Sequence, residues 1–359
     1  MLKRLVESQR GNLDLEQVVL SLTDVGTVGA QMNAEGVEIH ALNMRSVFDA
    51  PSALLKLIRF IRYAKPDIVQ TWMYHADFIG GLAARIAGSC AVVWGVRSTA
   101  IPQGVFSFTY WLIRLCALCS YVIPKRIICV SNSARAGHIK LRYSTNKMVV
   151  IVNGYDFSVF ELHPNSRIKS RVELGFGDAD VVIGVVGRFD PLKDFHNFVT
   201  AASRLAAERS DVKFLMVGRG NDWENAALAG WIEEAGLTAK FKLVGQQSDV
   251  PYYLSALDIF CLSSVNEAFP NVVVEAMAMG LPCVVTRAGD AADILGDEDF
   301  VVAVKNPVAL AGALLRMCNL SSIERGKIGL TNVGRVRAEY GMEKIAGKYN
   351  EIYNEIARR

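Results

Sequence analysis

Short apolar runs alternate with amphipathic stretches along nearly the whole chain, and the alternation occurs twice over. In the first half strand-like runs fall at 17–22, 37–42, 67–71, 91–96, 126–131 and 148–152, with helical periodicity clearest at 52–63 and 76–87. In the second half they fall at 181–187, 213–217, 241–244, 258–262 and 283–286, with helices at 195–208, 222–235 and 307–317. A strand that returns in the same direction needs a crossover about as long as a helix, so this pattern predicts parallel sheets covered by helices. At 359 residues, 51% of them hydrophobic, the chain is long enough for two such α/β, doubly wound, Rossmann-like domains of ~150 residues each. The boundary falls at 153–165, where Asn153-Gly154-Tyr155-Asp156 closes a strand and Phe160-Glu161-Leu162-His163-Pro164 leads into a polar stretch. The expected domains are therefore 1–160 and 161–341, followed by a helix over 342–359 with Ile345, Tyr349, Ile352, Tyr353 and Ile356 on one stripe.

Charge is divided unevenly. Residues 1–160 carry 17 Lys/Arg against 10 Asp/Glu, and residues 161–359 carry 22 against 26. A basic first half suits an anionic partner. No dense basic cluster is interleaved with aromatics, so a nucleic-acid partner is not expected. The seven cysteines lie in apolar runs, and Cys116-x-x-Cys119 has no second pair or His cluster to complete a zinc site. They are read as reduced core thiols of a cytoplasmic protein. No signal peptide is visible at Met1-Leu2-Lys3-Arg4-Leu5. Residues 105–124 approach the length of a membrane span but carry Arg114 centrally, with Phe106, Phe108, Tyr110 and Trp111 at the start and Lys125-Arg126 just after. Two readings stand: a helix packed in the first domain, or one lying on an anionic membrane surface.

The chemistry concentrates in Glu267-Ala268-Phe269-Pro270-Asn271-Val272-Val273-Val274-Glu275, followed by Ala276-Met277-Ala278-Met279-Gly280-Leu281-Pro282. Pro270 suits a first helical position, Gly280 the residue past the end, and Pro282 blocks continuation. Glu267 is then on the loop before a short helix and Glu275 in its body. Unsatisfied N–H groups at the helix start favour an anion or sugar oxygens, and carboxylates beside them grip hydroxyls. Two glutamates alone could be solvated charges, but this run resembles glycosyltransferase family 4, the retaining group 1 transferases of the GT-B fold. That family has Glu-Gly-aromatic-Pro-Asn, a second Glu eight positions after the first, then Ala-Met-Ala and Gly-x-Pro. Only Ala268 departs from it, where Gly is usual.

The resemblance implies two Rossmann-like domains facing a cleft, with the terminal helix 342–359 packing back on the first. It implies that Glu275 binds ribose hydroxyls, that Glu267 acts at the transferred sugar, and that the Phe269, Pro270 and Asn271 backbone contacts its hydroxyls. Val185-Val186-Gly187-Arg188-Phe189-Asp190-Pro191-Leu192-Lys193 matches the family's Gly-Arg-x-x-x-x-Lys element. Gly187 allows a close turn, while Arg188 and Lys193 would neutralise the leaving diphosphate. Gly218 and Gln246 lie on loops after later strands and would approach the nucleotide, and Asp290 would border the sugar. In the first domain Thr71-Trp72-Met73-Tyr74-His75-Ala76-Asp77 is similar to a subfamily pattern of cell-surface polysaccharide assembly. It implies His75, on the strand-to-helix loop, as a contact to the transferred sugar, with Asp77 read as an N-cap. Arg97 is a candidate for the acceptor's phosphate.

The resulting expectation is a glycosyltransferase moving a hexose, with retention, from a UDP-, GDP- or ADP-sugar to a lipid-linked or oligosaccharide acceptor. It would work at the inner face of the cytoplasmic membrane, without a metal. Asp178-Ala179-Asp180 and Asp297-Glu298-Asp299 are read as solvated turns. The chain opens in a helix over 2–9, whereas the family begins with a strand and a Gly-Gly loop. That element is expected about twenty residues upstream of Met1. A catalytically impaired GT-B protein is the alternative reading. A nicotinamide oxidoreductase is disfavoured because no strand is followed by Gly-x-Gly-x-x-Gly, and a sugar-nucleotide epimerase by the two-glutamate element.

Overall fold

Twelve strands form among the described residues, every pairing between them parallel. They are β1 (Val18–Ser21), β2 (Glu38–Ala41), β3 (Ile68–Gln70), β4 (Ala91–Val96), β5 (Arg126–Cys129), β6 (Met148–Val150), β7 (Val181–Val186), β8 (Val212–Val217), β9 (Phe241–Leu243), β10 (Ile259–Leu262), β11 (Cys283–Thr286) and β12 (Val301–Val302). This computed structural model describes residues 1–12, 15–88, 90–99, 108–161 and 165–357. The chain divides into two units, Met1–Asp156 with Tyr340–Arg359, and Phe157–Glu339.

In the second unit the strand order is β12-β11-β10-β7-β8-β9. The chain starts at β7, winds outward through β8 and β9, then returns to the other side of β7 and winds away through β10, β11 and β12. This is the doubly wound topology, and its switch point lies between β7 and β10. Both faces are covered, so central strands read as continuous apolar runs rather than alternations. All four residues of β10 and of β11 are buried, as are five of the six in β7. Phe198 and Leu205 of helix Phe195–Glu208, with Leu310 and Leu314 of helix Pro307–Asn319, pack in one cluster with Ile183, Phe214 and Phe241.

The first unit holds two ladders, β1-β2 and β3-β4-β5-β6. Against the latter lies helix Met342–Ala357, whose Ile345, Tyr349 and Ile356 are buried with Val93, Ile128 and Ile151. Ile352 and Tyr353 pack on the same cluster.

The eleven expected strands are present to within two residues at each end, and helix Phe195–Glu208 has the expected bounds. The expected helix over 222–235 starts later, as Ala226–Glu234, because Asn225 caps it by accepting from Leu228 N at 3.4 Å. Short helices Ser166–Leu174, Val250–Leu254 and Ala291–Leu295 lie outside the expectation, as do two further elements. One is the two-residue β12. The other is helix Ser322–Tyr340, whose buried side is Gly329, Asn332, Val336 and Tyr340. A stripe with one aliphatic residue gives almost no apolar period. Asn332 nonetheless donates to the Leu281 carbonyl at 2.9 Å, bracing the turn that follows the two-glutamate helix.

Of the stretch 105–124, helix Phe108–Cys119 is described and 105–107 lie outside the described residues. No helix among the described residues is long and apolar enough to cross a membrane. All seven cysteines are free. Cys116 is buried on that helix and its thiol faces the Tyr74 carbonyl at 3.6 Å.

Candidate functional site

The loops after β7 and β10 flank the switch point, where strand ends diverge and leave a crevice for ligand. Two bonds tie them: Val265 N donates to the Leu192 carbonyl at 2.8 Å, and Ser263 Oγ to the Lys193 carbonyl at 2.8 Å. Between them Lys193 Nζ lies 2.6 Å from Glu267 Oε1. The pair is mostly buried, at 21% and 14% side-chain exposure, so water screens it less than a surface pair. Ser264 Oγ donates to the same Glu267 oxygen at 2.7 Å, and Thr286 Oγ1 fixes the Ser264 carbonyl at 2.6 Å. Glu267 is thus held from one side by an ammonium and from another by a hydroxyl.

Helix Asn271–Ala278 follows, with Pro270 as its N-cap at φ −72°, ψ 90°. Pro270 therefore stands one position before the first helical residue, rather than at it as expected. Glu267 sits on the preceding loop and Glu275, half-buried, in the helix body. Phe269 is buried and Asn271 exposed. The Asp290 loop closes on this segment: Asp290 N donates to the Ala268 carbonyl at 3.4 Å. At Gly289, φ is +57° and a Cβ would lie 2.0 Å from the Glu267 carbonyl oxygen. Only glycine allows that approach.

The remaining strand ends of this unit join at Gly218. Its N–H donates to the Gly245 carbonyl at 2.7 Å, and a Cβ there would lie 2.1 Å from the Gly187 carbonyl oxygen. Gln246, next to Gly245, is exposed. Buried Asn221 donates to the Gly187 carbonyl at 2.8 Å. Arg188 is largely exposed and forks onto Asp190, Nε at 3.0 Å and a terminal nitrogen at 2.9 Å. The Leu192 N–H, with Arg188, holds the Asp190 carboxyl below its usual range. So Gly187, Arg188, Lys193, Gly218, Gln246, Glu267, Phe269, Pro270, Asn271, Glu275 and Asp290 all lie on strand-end loops, or the helix they open, of one unit. Ser264 is the residue that sequence reasoning missed. Its signal was present as Ser264-Val265-Asn266-Glu267, a Ser-x-x-Glu spacing that lets the two side chains meet.

His75 and Arg97 belong to the other unit. Helix Tyr74–Ala87 begins earlier than the expected 76–87, so His75 stands in its first turn rather than on the loop; it is exposed and stacks on Phe108 with ring centroids 6.4 Å apart. Asp77 is not the N-cap: Met73 holds that place with φ +76°. Asp77 is buried instead, accepting from Thr71 Oγ1 at 2.5 Å and Gly95 N at 3.3 Å, and burial pushes its carboxyl up to about 8. Arg97 stacks on Trp72, 5.2 Å from the ring centroid, and donates to Asn153 Oδ1. Asp180 accepts from Gly177 N at 2.7 Å and Asp297 from Asp299 N at 3.2 Å, so both Asp-x-Asp strings are local turns.

Residues 13–159 match the profile described as Glycosyltransferase Family 4, and residues 180–319 the profile described as Glycosyl transferases group 1. This chain belongs to the glycosyltransferase family 4, group 1 transferases. Among relatives of this glycosyltransferase, the UDP-Gal:alpha-D-GlcNAc-diphosphoundecaprenol alpha-1,3-galactosyltransferase of Escherichia coli is 29% identical over 274 residues, covering 74% of this chain and 70% of that one. The capsular polysaccharide biosynthesis glycosyltransferase CapM of Staphylococcus aureus is 24% identical, covering 97% and 94%. Anabaena Alr3699/HepE, solved in complex with UDP, superposes with a TM-score of 0.85 at 19% identity, covering 99% of this chain and 95% of that one. The fold is GT-B.

Proposed function

We propose that this glycosyltransferase moves a hexose from a nucleoside-diphosphate sugar to a lipid-linked saccharide with retention, in cell-surface polysaccharide assembly. It does so peripherally at the inner face of the cytoplasmic membrane. The observation that carries this reading is the Lys193–Glu267 pair at the β7/β10 switch point, with Glu275 one short helix away. Glu275 takes the ribose hydroxyls, Gln246 lines the base, and Gly187 and Gly218 let the backbone approach the nucleotide. As the bond between the sugar and the diphosphate breaks, negative charge grows on the leaving oxygen. Lys193, already inside the site, and Arg188, swinging from Asp190, stabilise that charge without a metal; such preorganised donors are worth about 3 kcal/mol each. Glu267, Asp290 and the Phe269, Pro270 and Asn271 backbone orient the sugar. His75 contacts the transferred sugar, and Arg97 the acceptor's phosphate. The assembled pair favours this reading over an impaired protein.

The names of the Escherichia coli and Staphylococcus aureus relatives, and UDP in the Anabaena protein, support the donor and acceptor classes. The test is Glu275→Ala, measured by calorimetric titration with UDP, GDP and ADP. Loss of the nucleotide that binds the wild type is expected; unchanged affinity would remove Glu275 from the site. Transfer should survive a chelator, and magnesium-restored loss would refute metal-free charge stabilisation.

A further inference from the structure

Helix Phe108–Cys119 is apolar on two sides, and the fold uses one of them. Leu112, Ile113, Cys116 and Ala117 are buried. Phe108, Trp111, Leu115 and Leu118 are exposed, at 58%, 60%, 40% and 73%. At 100° per residue these four fall within about 80° of arc, a continuous stripe. The turn after the helix extends it with Tyr121 and Val122, exposed at 58% and 64%. That turn is fixed by cations: Arg85 Nε donates to the Val122 carbonyl at 3.2 Å and Lys147 Nζ to the Ser120 carbonyl at 3.1 Å. Arg114 is exposed on the helix beside the stripe.

The charge around this face is one-sided. From residue 78 to residue 155 the sequence has no Asp or Glu and nine Lys or Arg: Arg85, Arg97, Arg114, Lys125, Arg126, Arg135, Lys140, Arg142 and Lys147. Of these, Arg126 pairs with Glu355 and Arg97 stacks on Trp72, while Arg85, Arg114 and Lys147 border the face itself. An apolar patch bordered by these cations matches a surface that is apolar below and anionic above. A second copy of the chain would set like charge against like charge across a two-fold contact.

We propose that this face, Phe108, Trp111, Leu115, Leu118, Tyr121 and Val122, docks the first unit on an anionic lipid bilayer. The inference rests on the reading above for its purpose. Phe108 stacks on His75, so docking brings the start of helix Tyr74–Ala87 to the lipid surface where a lipid-linked saccharide is held.

The test is flotation of the full chain with phosphatidylcholine vesicles, with and without phosphatidylglycerol, and with no donor or acceptor present. Wild type should float with phosphatidylglycerol vesicles and be released by salt. Trp111→Ser with Leu118→Ser should lower partitioning at least about tenfold, and Arg114→Glu about fivefold or more. Tyr121→Ser with Val122→Ser, off the helix, should also lower it, whereas Val308→Ser, equally exposed at 59% in the other unit, should not. Lipid-independent behaviour of the wild type, or full flotation of both double variants, would overturn the proposal. So would a dimer that the helix variant splits without any flotation. Docking is read without transfer, and transfer to a soluble acceptor without vesicles, so each can fail alone.

Discussion

The strand ends of the two units are held together by opposite means. After β7 and β10 the loops meet through charge: Lys193 on Glu267, with Ser264 as the second donor. After β3 and β4 they meet through a buried neutral network. Asp77 is wholly enclosed and, below about pH 8, protonated, bridging Thr71 and Gly95. Nearby, Tyr74 Oη and His138 Nε2 lie 3.0 Å apart, His138 Nδ1 lies 2.7 Å from the Ala134 carbonyl, and burial lowers the His138 pKa. A low-dielectric interior favours neutral hydrogen-bonded groups, whereas a half-open crevice tolerates an ion pair. The proposed donor chemistry would draw on the ion pair of the second unit, whereas in the first unit the neutral network lies beneath an exposed His75.

The largest test of that contrast is Lys193→Ala. It removes the cation and leaves a mostly buried carboxylate without its ammonium, so kcat should fall about 10³-fold. Steady-state transfer measures this, and a change below about tenfold would show that the ion pair is only a brace. Next is Gly289→Ala, which forces a methyl against the Glu267 carbonyl at a positive φ. Unfolding free energy should drop by about 2–3 kcal/mol, with the Glu267 loop displaced; an unchanged denaturation midpoint would mean that the loop yields freely.

Asp77→Asn addresses the neutral side. The folded pKa of Asp77 is raised from 3.8 to about 8, so its stabilising contribution is full below pH 3.8 and is lost as pH rises through 8. The wild type should therefore lose up to ~1.4 kcal/mol per pH unit from this group across that window, and the amide should flatten the slope. His138, lowered from 6.5 by burial, acts in the other sense: its contribution is lost as pH falls below 6.5. Denaturation from pH 5 to 9 separates the two, and parallel profiles for wild type and variant would refute a protonated Asp77. The smallest effect is Ser264→Ala. One neutral donor to a carboxylate is lost while Lys193 stays, and kcat should fall about tenfold or less; a loss matching that of Lys193→Ala would make the hydroxyl an equal partner.

Much of this was legible before any coordinate. β7 and β10 are apolar over their whole length, and β11 up to Thr286, because both faces of the sheet are covered, so length and flanking turns mark them without alternation. Glu267 on a loop and Glu275 in a helix followed from Pro270, Gly280 and Pro282, although the helix start moved by one residue. Helix Ser322–Tyr340 was not legible, since its buried side carries Gly329, Asn332, Val336 and Tyr340 rather than an aliphatic stripe. Asp77 was misread because an acidic residue near a helix start has two uses, capping or burial. Sequence spacing does not distinguish them.

Sequence by itself determined the parallel α/β architecture and the placing of Glu267 on a loop and Glu275 in the helix it opens, because periodicity, turn residues and local motif spacing are short-range properties. Only the tertiary structure decided that Lys193 meets Glu267 across 74 positions, that Asp77 is enclosed, and that one side of helix Phe108–Cys119 stays uncovered. Each depends on which elements pack beside one another, and burial, ion pairing and exposure are properties of that packing.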